Sequence, residues 1–289
     1  MGIISGLSLS KSIWSVTFKM LARYPRILLP FFITAFAEGL VLTVFFYFPR
    51  PPLSFIFAQP IRAFFGERFL HYPDNFLLLP QLFYYGQVLV TMTVGVVMLG
   101  MAMGMVYEAN TEGEKVKIFG NFNRALRRYV TLAGLWLVTF IISLIILRAP
   151  RFLVIKFLQP TAPVRILLQV LFYGGVVLTF IIEVLFIYAY PAIIIERRKF
   201  LGAIKKSFSI SKRVFLTTIV LVITPRILDV MAMALKQKFV GLMNLTLPEI
   251  TLVILAGGIA VTFVTDSLVF LTTANLFVLS KETEKEVTT

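Results

Sequence analysis

The chain has 289 residues, of which 58% are hydrophobic and 15% charged, and its mean hydropathy is +0.90. Soluble domains run nearer half apolar and a quarter charged, so this composition argues against a water-soluble globular protein. Cysteine is absent, which excludes a disulfide framework, a zinc-thiolate centre and a thiol nucleophile; the formal net charge is +14.

Apolar runs of about twenty residues recur, each long enough to cross a ~30 Å hydrocarbon core as a helix. They are apolar on every face, unlike the alternating strands of a membrane barrel. The reading is an all-α polytopic membrane protein with six transmembrane helices, over 27–48, 81–106, 129–147, 164–195, 214–236 and 250–279. Residues 1–289 are expected to form one integral membrane domain, with no room for a soluble one beside the spans. Before the first span, Lys11 and Lys19 precede no short apolar region with a small-residue cleavage site, so this segment does not read as a signal peptide.

Span one carries Glu38 and a small-residue pair, Ala35 and Gly39. The connection after it is proline-rich, with Pro49, Pro51, Pro52, Pro60, Pro73 and Pro80. Within it, "PIRAFFGERFL" predicts a surface helix with Pro60 in the first turn and Ile61, Phe64, Phe65 and Phe69 on one face. "RFLVIKFLQP", residues 151–160, predicts a second one. Such helices either cap a cavity or tether a loop, and tethering asks for less. His71, the single histidine, reads as a headgroup contact rather than a ligand or base. Gly100 and Gly104 give span two a GxxxG face for close helix approach, and Met101, Met103 and Met105 read as packing filler.

The connection after span two places Arg124, Arg127 and Arg128 in "KIFGNFNRALRRYV". Span four carries Glu183. It is followed by "ERRKFLGAIKKSFSISKR", residues 196–213, with seven positive charges and one negative. On a helical wheel Phe200, Leu201, Ile204 and Phe208 share one arc, and Lys199, Lys205, Lys206, Lys212 and Arg213 share the other. This is the pattern of an interfacial amphipathic helix with basic residues aimed at anionic headgroups. Arg197, Arg198, Arg124, Arg127 and Arg128 join the expected headgroup set. About two thirds of the 28 Lys and Arg residues fall on the side of the N-terminus, which the positive-inside rule makes cytoplasmic, with both termini there. That distribution accounts for the charge without nucleic acid.

Three copies of interfacial helix plus hairpin are discernible, over about 5–107, 113–195 and 197–280. Pro49-Arg50, Pro150-Arg151 and Pro225-Arg226 recur after the first span of each pair, and "TFIIE" (179–183) matches "TFVTD" (262–266). "PAIIIERRKFLGAIKKSFSISKR", residues 191–213, resembles the Pro, acidic, Ala-basic-basic-Ser pattern of a six-helix bacterial and archaeal membrane family. That family includes the membrane domain fused to some glycerophosphodiester phosphodiesterases. The specific match covers about twenty residues. The phosphodiesterase domain is absent, so the resemblance implies an architecture and lipid-related biology, not catalysis.

Counted at 1.5 Å per residue from their basic flanks, Glu38, Glu183 and Asp266 lie roughly 18, 21 and 22 Å deep, in one layer. An ionised group there costs at least about 2.5 kcal/mol on insertion scales, so each is expected to face the protein interior. Arg226 and Asp229 join this layer if the fifth span runs through Pro225; if it ends there, as the other Pro-Arg pairs suggest, Arg226 sits at the far interface. Ten apolar residues, "VFLTTIVLVI", are too few to cross, which favours the first alternative. The layer is either a structural network or a hydrated path for protons, cations or a lipid headgroup. The expectation is a transporter-like or lipid-handling protein contacting anionic lipids, against a non-catalytic scaffold or complex subunit; a homo-oligomer fits either. With no HExxH, GxSxG or P-loop, no enzyme, metal or cofactor is expected.

Overall fold

The structure, a computed structural model, describes residues 3–111, 116–157, 162–243 and 248–288; at 3–5, 162, 165, 236–243 and 282–288 it describes the backbone alone. Lys115, and the side chains of Arg165, Lys236, Lys238 and Lys285, all counted in the charge distribution, therefore lie outside the described residues.

The described residues are helical, with no strand. In chain order the α-helices are α1 (Ile3–Arg23), α2 (Leu29–Phe46), α3 (Ser54–Phe64), α4 (Asp74–Val90), α5 (Val96–Thr111), α6 (Ile118–Leu126), α7 (Tyr129–Phe157), α8 (Ala162–Phe186), α9 (Ala189–Ile194), α10 (Phe200–Arg213), α11 (Phe215–Met243) and α12 (Ile250–Thr288). A π-helical turn, Thr91–Gly95, joins α4 to α5. Among the described residues six stretches are long and apolar enough to cross a membrane: Pro25–Phe46, Asp74–Thr111, Tyr129–Phe157, Ile166–Ile194, Phe215–Leu235 and Ile250–Lys281. Each of the six expected spans has a counterpart among these helices, and the described residues form an all-α structure with six helices that could cross a membrane.

Prolines account for most differences between expected and observed elements. The run Pro49, Pro51 and Pro52, with no backbone N–H to offer, stops α2 at Phe46. Pro150 and Pro225 do not end their helices: α7 and α11 both run through them. Residues 151–157 accordingly continue α7 and form no separate surface helix. The three Pro-Arg dipeptides thus sit in two different settings, one in a turn and two inside helices. Pro60 lies inside α3, which starts at Ser54, rather than in a first turn. Of the apolar face expected there, Ile61 is buried in the protein and Phe64 is 83% exposed.

The chain divides into two compact units. Unit 2 holds Leu28–Met98 and Pro225–Leu268. Its core packs Leu42 of α2 against Phe76, Leu79 and Phe83 of α4 and Leu255 of α12, and a second cluster joins Phe48, Ile61 and Leu78. At Gly86 a Cβ would come 2.3 Å from Val41, so α2 and α4 touch there nearly backbone to backbone. The other expected small face is not used in this way, since a Cβ on Gly39 would meet nothing within 4 Å.

Unit 1 holds Met1–Ile27, Leu99–Thr224 and Val269–Thr289. The three basic amphipathic helices α1, α6 and α10 all belong to it. Pro191 withholds an N–H, and the fourth span breaks after Phe186 and resumes at Ala189. The break leaves Val184 and Leu185 carbonyls without helical donors. Ser211 and Ser207 of α10 donate to them at 2.9 and 2.6 Å. The buried face of α10 is therefore Ala203, Ser207, Ile210 and Ser211. The arc singled out by hydropathy is only partly covered, and Leu201 is 70% exposed.

Gly100 and Gly104 do provide a close approach, and its occupant is α6. A Cβ at Gly100 would lie 3.0 Å from the Ala125 Cβ, and one at Gly104 only 2.3 Å from Asn121 Oδ1. Glu108, one turn on, is 6% exposed and accepts hydrogen bonds from Asn121 Nδ2 (2.7 Å) and the Lys117 N–H (3.0 Å). Residues 100, 104 and 108 thus run antiparallel to 125, 121 and 117, and a carboxylate meets the positive end of the α6 dipole. Met101, Met103 and Met105 are all buried.

Gly104→Ala is expected to destabilise the protein by about 1–3 kcal/mol through overpacking against Asn121. Gly257→Ala, where a Cβ meets nothing within 4 Å, should leave thermal unfolding in detergent unchanged or raise its midpoint.

Candidate functional site

Two groups of polar side chains stand out, one in each unit. The first is in unit 2 and comprises mid-helix residues of apolar spans. Because α11 continues past Pro225, Arg226 and Asp229 fall three residues apart on one helical face, and the Arg226 Nη1 donates to Asp229 Oδ2 at 2.9 Å. The same nitrogen donates to Asp266 Oδ1 of α12 at 2.8 Å. Thr265, beside Asp266, turns its hydroxyl to Asp229 Oδ1 at 3.0 Å. On α2, Glu38 is 5% exposed and accepts from Gln87 Nε2 of α4 at 3.0 Å, within electrostatic range of Asp266.

This group holds three carboxylates and one guanidinium. The arginine offsets the cost of two acids, and the third is held by an amide. The arginine side chain is 16% exposed and those of Asp229 and Asp266 are 28% and 33%, so Glu38 is closed off while the aspartates are reachable. One turn beyond Gln87 the helix widens into the π-helical turn, where Thr91 donates to the Gln87 carbonyl at 2.8 Å. Such turns shift the register of the helix that follows and occur frequently at functional sites.

Of the five residues expected in one layer, the structure thus brings Arg226, Asp229 and Asp266 into direct contact and Glu38 into the same unit. Glu183 belongs to unit 1, in the last turn of α8. Its depth was counted along an unbroken helix from Arg197, and the helix is interrupted between Phe186 and Ala189. Gln87 and Thr265 escaped the sequence reading because uncharged polar residues are common in spans. Their signal was a lone amide in an apolar run and a threonine next to an intramembrane acid.

The second group is in unit 1. Arg124, Arg127 and Arg128, from the end of α6 and the turn after it, share an open cavity of about 540 Å³ with Arg197. Gly120, Asn123 and Ile194 complete its wall. Among the described residues, Glu108 and Glu196 near these arginines are already engaged. Glu108 takes Asn121 and the Lys117 N–H and lies 3.7 Å from Arg124, and Glu196 pairs with Arg198 at 2.5 Å. Arg127, Arg128 and Arg197 make no side-chain ion pair or hydrogen bond among the described residues. Arg197 has φ 54°, a left-handed conformation that costs an ordinary side chain about 1–2 kcal/mol and that glycine adopts freely. It follows the end of α9, where the Arg198 N–H returns to the Ala192 carbonyl at 3.2 Å. The other expected headgroup residues are distributed along α10: Lys199 precedes its first turn, Lys205 is exposed, and Lys212 and Arg213 close its last turn on exposed positions. Lys206 lies on the same helix.

Six apolar helices with ionisable groups inside them define a candidate multi-pass membrane protein. No protein-family model matches the chain, and no curated protein matches it. Among the described residues, no group of three or more His, Cys, Asp or Glu could hold a metal ion.

Arg226→Gln should lower stability by about 1–3 kcal/mol or more, by leaving two carboxylates without their donor. The triple variant Arg226→Gln, Asp229→Asn, Asp266→Asn should recover part of that loss in thermal unfolding. Full additivity of the three changes would show that the contacts carry no coupling.

Proposed function

We propose that the chain is a multi-pass membrane protein of transporter-like or lipid-handling type, working through the polar layer of unit 2. The observation that carries this reading is the Arg226–Asp229–Asp266 cluster with its companion Glu38: acids outnumber the cation, and two acids are reachable while one is closed off. Intramembrane ionisable groups are functional by default, because each costs free energy that packing alone does not require. The π-helical turn beside Gln87 adds a second mark of function.

In this reading Asp266 and Asp229 exchange partners between Arg226 and an incoming proton, cation or headgroup, and Glu38 and Gln87 hold the neighbouring helices. The basic helices α1, α6 and α10 lie in the cytoplasmic interface against anionic lipids, with both termini on that side. The threefold repeat and the likeness to the six-helix membrane family belong to the same proposal. This reading includes lipid-related biology and assigns no catalytic activity.

A scaffold or complex subunit is the second reading. It is favoured by the geometry of Arg226, whose one nitrogen joins α11 to α12 through two carboxylates, a staple that needs no substrate.

Reconstitution into liposomes separates the two. Glu38→Gln and Asp266→Asn should leave the unfolding temperature within a few degrees of wild type yet lower dye-reported proton flux or the scrambling of a fluorescent phospholipid at least tenfold. Wild-type protein that moves neither, with variants that only unfold earlier, would favour the scaffold. Orientation is tested separately, using the absence of native cysteine. In intact cells a membrane-impermeant maleimide should label His71→Cys and spare Lys199→Cys; the reverse pattern would invert the topology.

A further inference from the structure

The arginine cavity of unit 1 lies apart from the carboxylate chemistry above, and three of its four cations have no anionic partner among the described residues. Unpaired arginines are common on a surface, and Arg127 and Arg197 are exposed; what sets these apart is that they share one open cavity. They converge on one cavity from two separate segments, the end of α6 and the turn between α9 and α10. One of them is held where the backbone prefers glycine. A residue in that conformation persists where its surroundings over-determine it, and what arginine adds over glycine at 197 is a guanidinium in the cavity.

The choice of cation is also informative. Every cationic residue in the cavity wall is arginine, while α10 nearby carries Lys205, Lys206 and Lys212. Lysine offers a point charge that suits diffuse attraction to a membrane. The planar fork of arginine matches the oxygens of a phosphate in paired hydrogen bonds. A carboxylate or a phosphodiester brings one negative charge, too little for three unpaired guanidiniums. A phosphate monoester brings about 1.5 to 2 negative charges at pH 7 and three acceptor oxygens.

We propose that Arg124, Arg127, Arg128 and Arg197 form a binding site for a phosphate monoester group. Glu108 and Asn121 are positioning residues, since they seat α6 on α5 and so fix where Arg124 and its successors emerge. Next in sequence to the cavity arginines, Leu126 and Val130 are 50% and 82% exposed, apolar surface of the kind acyl chains of a lipid monoester cover. The proposal rests on the lipid-handling reading only for the placement of α6 and α10 at a membrane surface; the binding chemistry is independent of the polar layer in unit 2.

The test is calorimetric titration of the purified full chain in detergent with three probes: inorganic phosphate, dioctanoyl phosphatidic acid and dioctanoyl phosphatidylglycerol. Phosphatidic acid should bind saturably and at least tenfold more tightly than phosphatidylglycerol, whose phosphate is a diester. Inorganic phosphate binding comparably would assign the site to a soluble monoester, and phosphate binding much more weakly would assign it to a lipid headgroup. Arg197→Gly should weaken the preferred probe at least tenfold while leaving the unfolding temperature unchanged or raised. The double variant Arg127→Gln, Arg128→Gln should weaken it as much, and Arg50→Gln, an equal loss of one exposed charge in unit 2, should change it less than twofold. Absence of saturable binding, equal affinity for the diester, or binding that survives both Arg197→Gly and the double variant would overturn the proposal. None of these outcomes bears on flux through Glu38 and Asp266, so the two readings fail separately.

Discussion

Hydrocarbon offers no hydrogen-bond partner, and that absence organises this chain. A backbone carbonyl or a charged side chain inside an apolar span is tolerated only when another part of the protein answers it. The answers are specific. Serines of α10 donate to the carbonyls exposed where the fourth span breaks. Asn275 donates to Thr17 at 2.9 Å and accepts from Asn110 at 2.7 Å, joining α12, α1 and α5 in unit 1. Tyr188, fully buried, shares a 2.6 Å hydrogen bond with Thr218. Arg226 answers two aspartates at once.

The positive charges divide by the same criterion. Arg226 is neutralised where it stands, as a guanidinium in an apolar span must be, and Arg198 is paired with Glu196. Arg127, Arg128 and Arg197 of the α6 cavity have no such partner among the described residues, and they need none for folding because they stand at an open cavity rather than in the core. A charge that folding leaves unanswered is available to a ligand. A charge that folding answers twice can act only by exchanging one partner for another. The two polar groups therefore differ in what folding leaves open.

Much of this was legible in the sequence. Six spans follow from run length alone, and that Arg226 meets an acid follows from placing acids and an arginine at similar depth in hydrocarbon. GxxxG at 100–104 announced a close contact. It could not announce that the contact is with α6, because a glycine pair states how near a neighbour comes and not which neighbour. The faces of α10 show the same limit. Hydropathy separated Phe200, Leu201, Ile204 and Phe208 from the lysines, yet the helix buries Ala203, Ser207, Ile210 and Ser211, whose small side chains carry almost no hydropathic signal. Prolines were the least legible. Pro49 belongs to a turn, Pro150 and Pro225 lie inside helices, and Pro191 accompanies a break. Proline removes one donor wherever it stands; whether the helix continues depends on what else can satisfy or shield the freed carbonyl. At Pro150 that carbonyl, on Ile146, faces Gly175 of α8 at close range.

The sequence by itself determined that the chain is helical, that it has six membrane-length spans, and that its charges are concentrated outside them. These are properties of local composition and of the bilayer as a solvent, and they need no knowledge of neighbours. Tertiary structure alone decided which acid Arg226 holds, that Glu38 lies against Gln87, that Glu183 belongs to the other unit, and that four arginines from two segments share one cavity. Each of those facts depends on which helix faces which at a few ångströms, and residues far apart in the chain carry no local mark of their meeting.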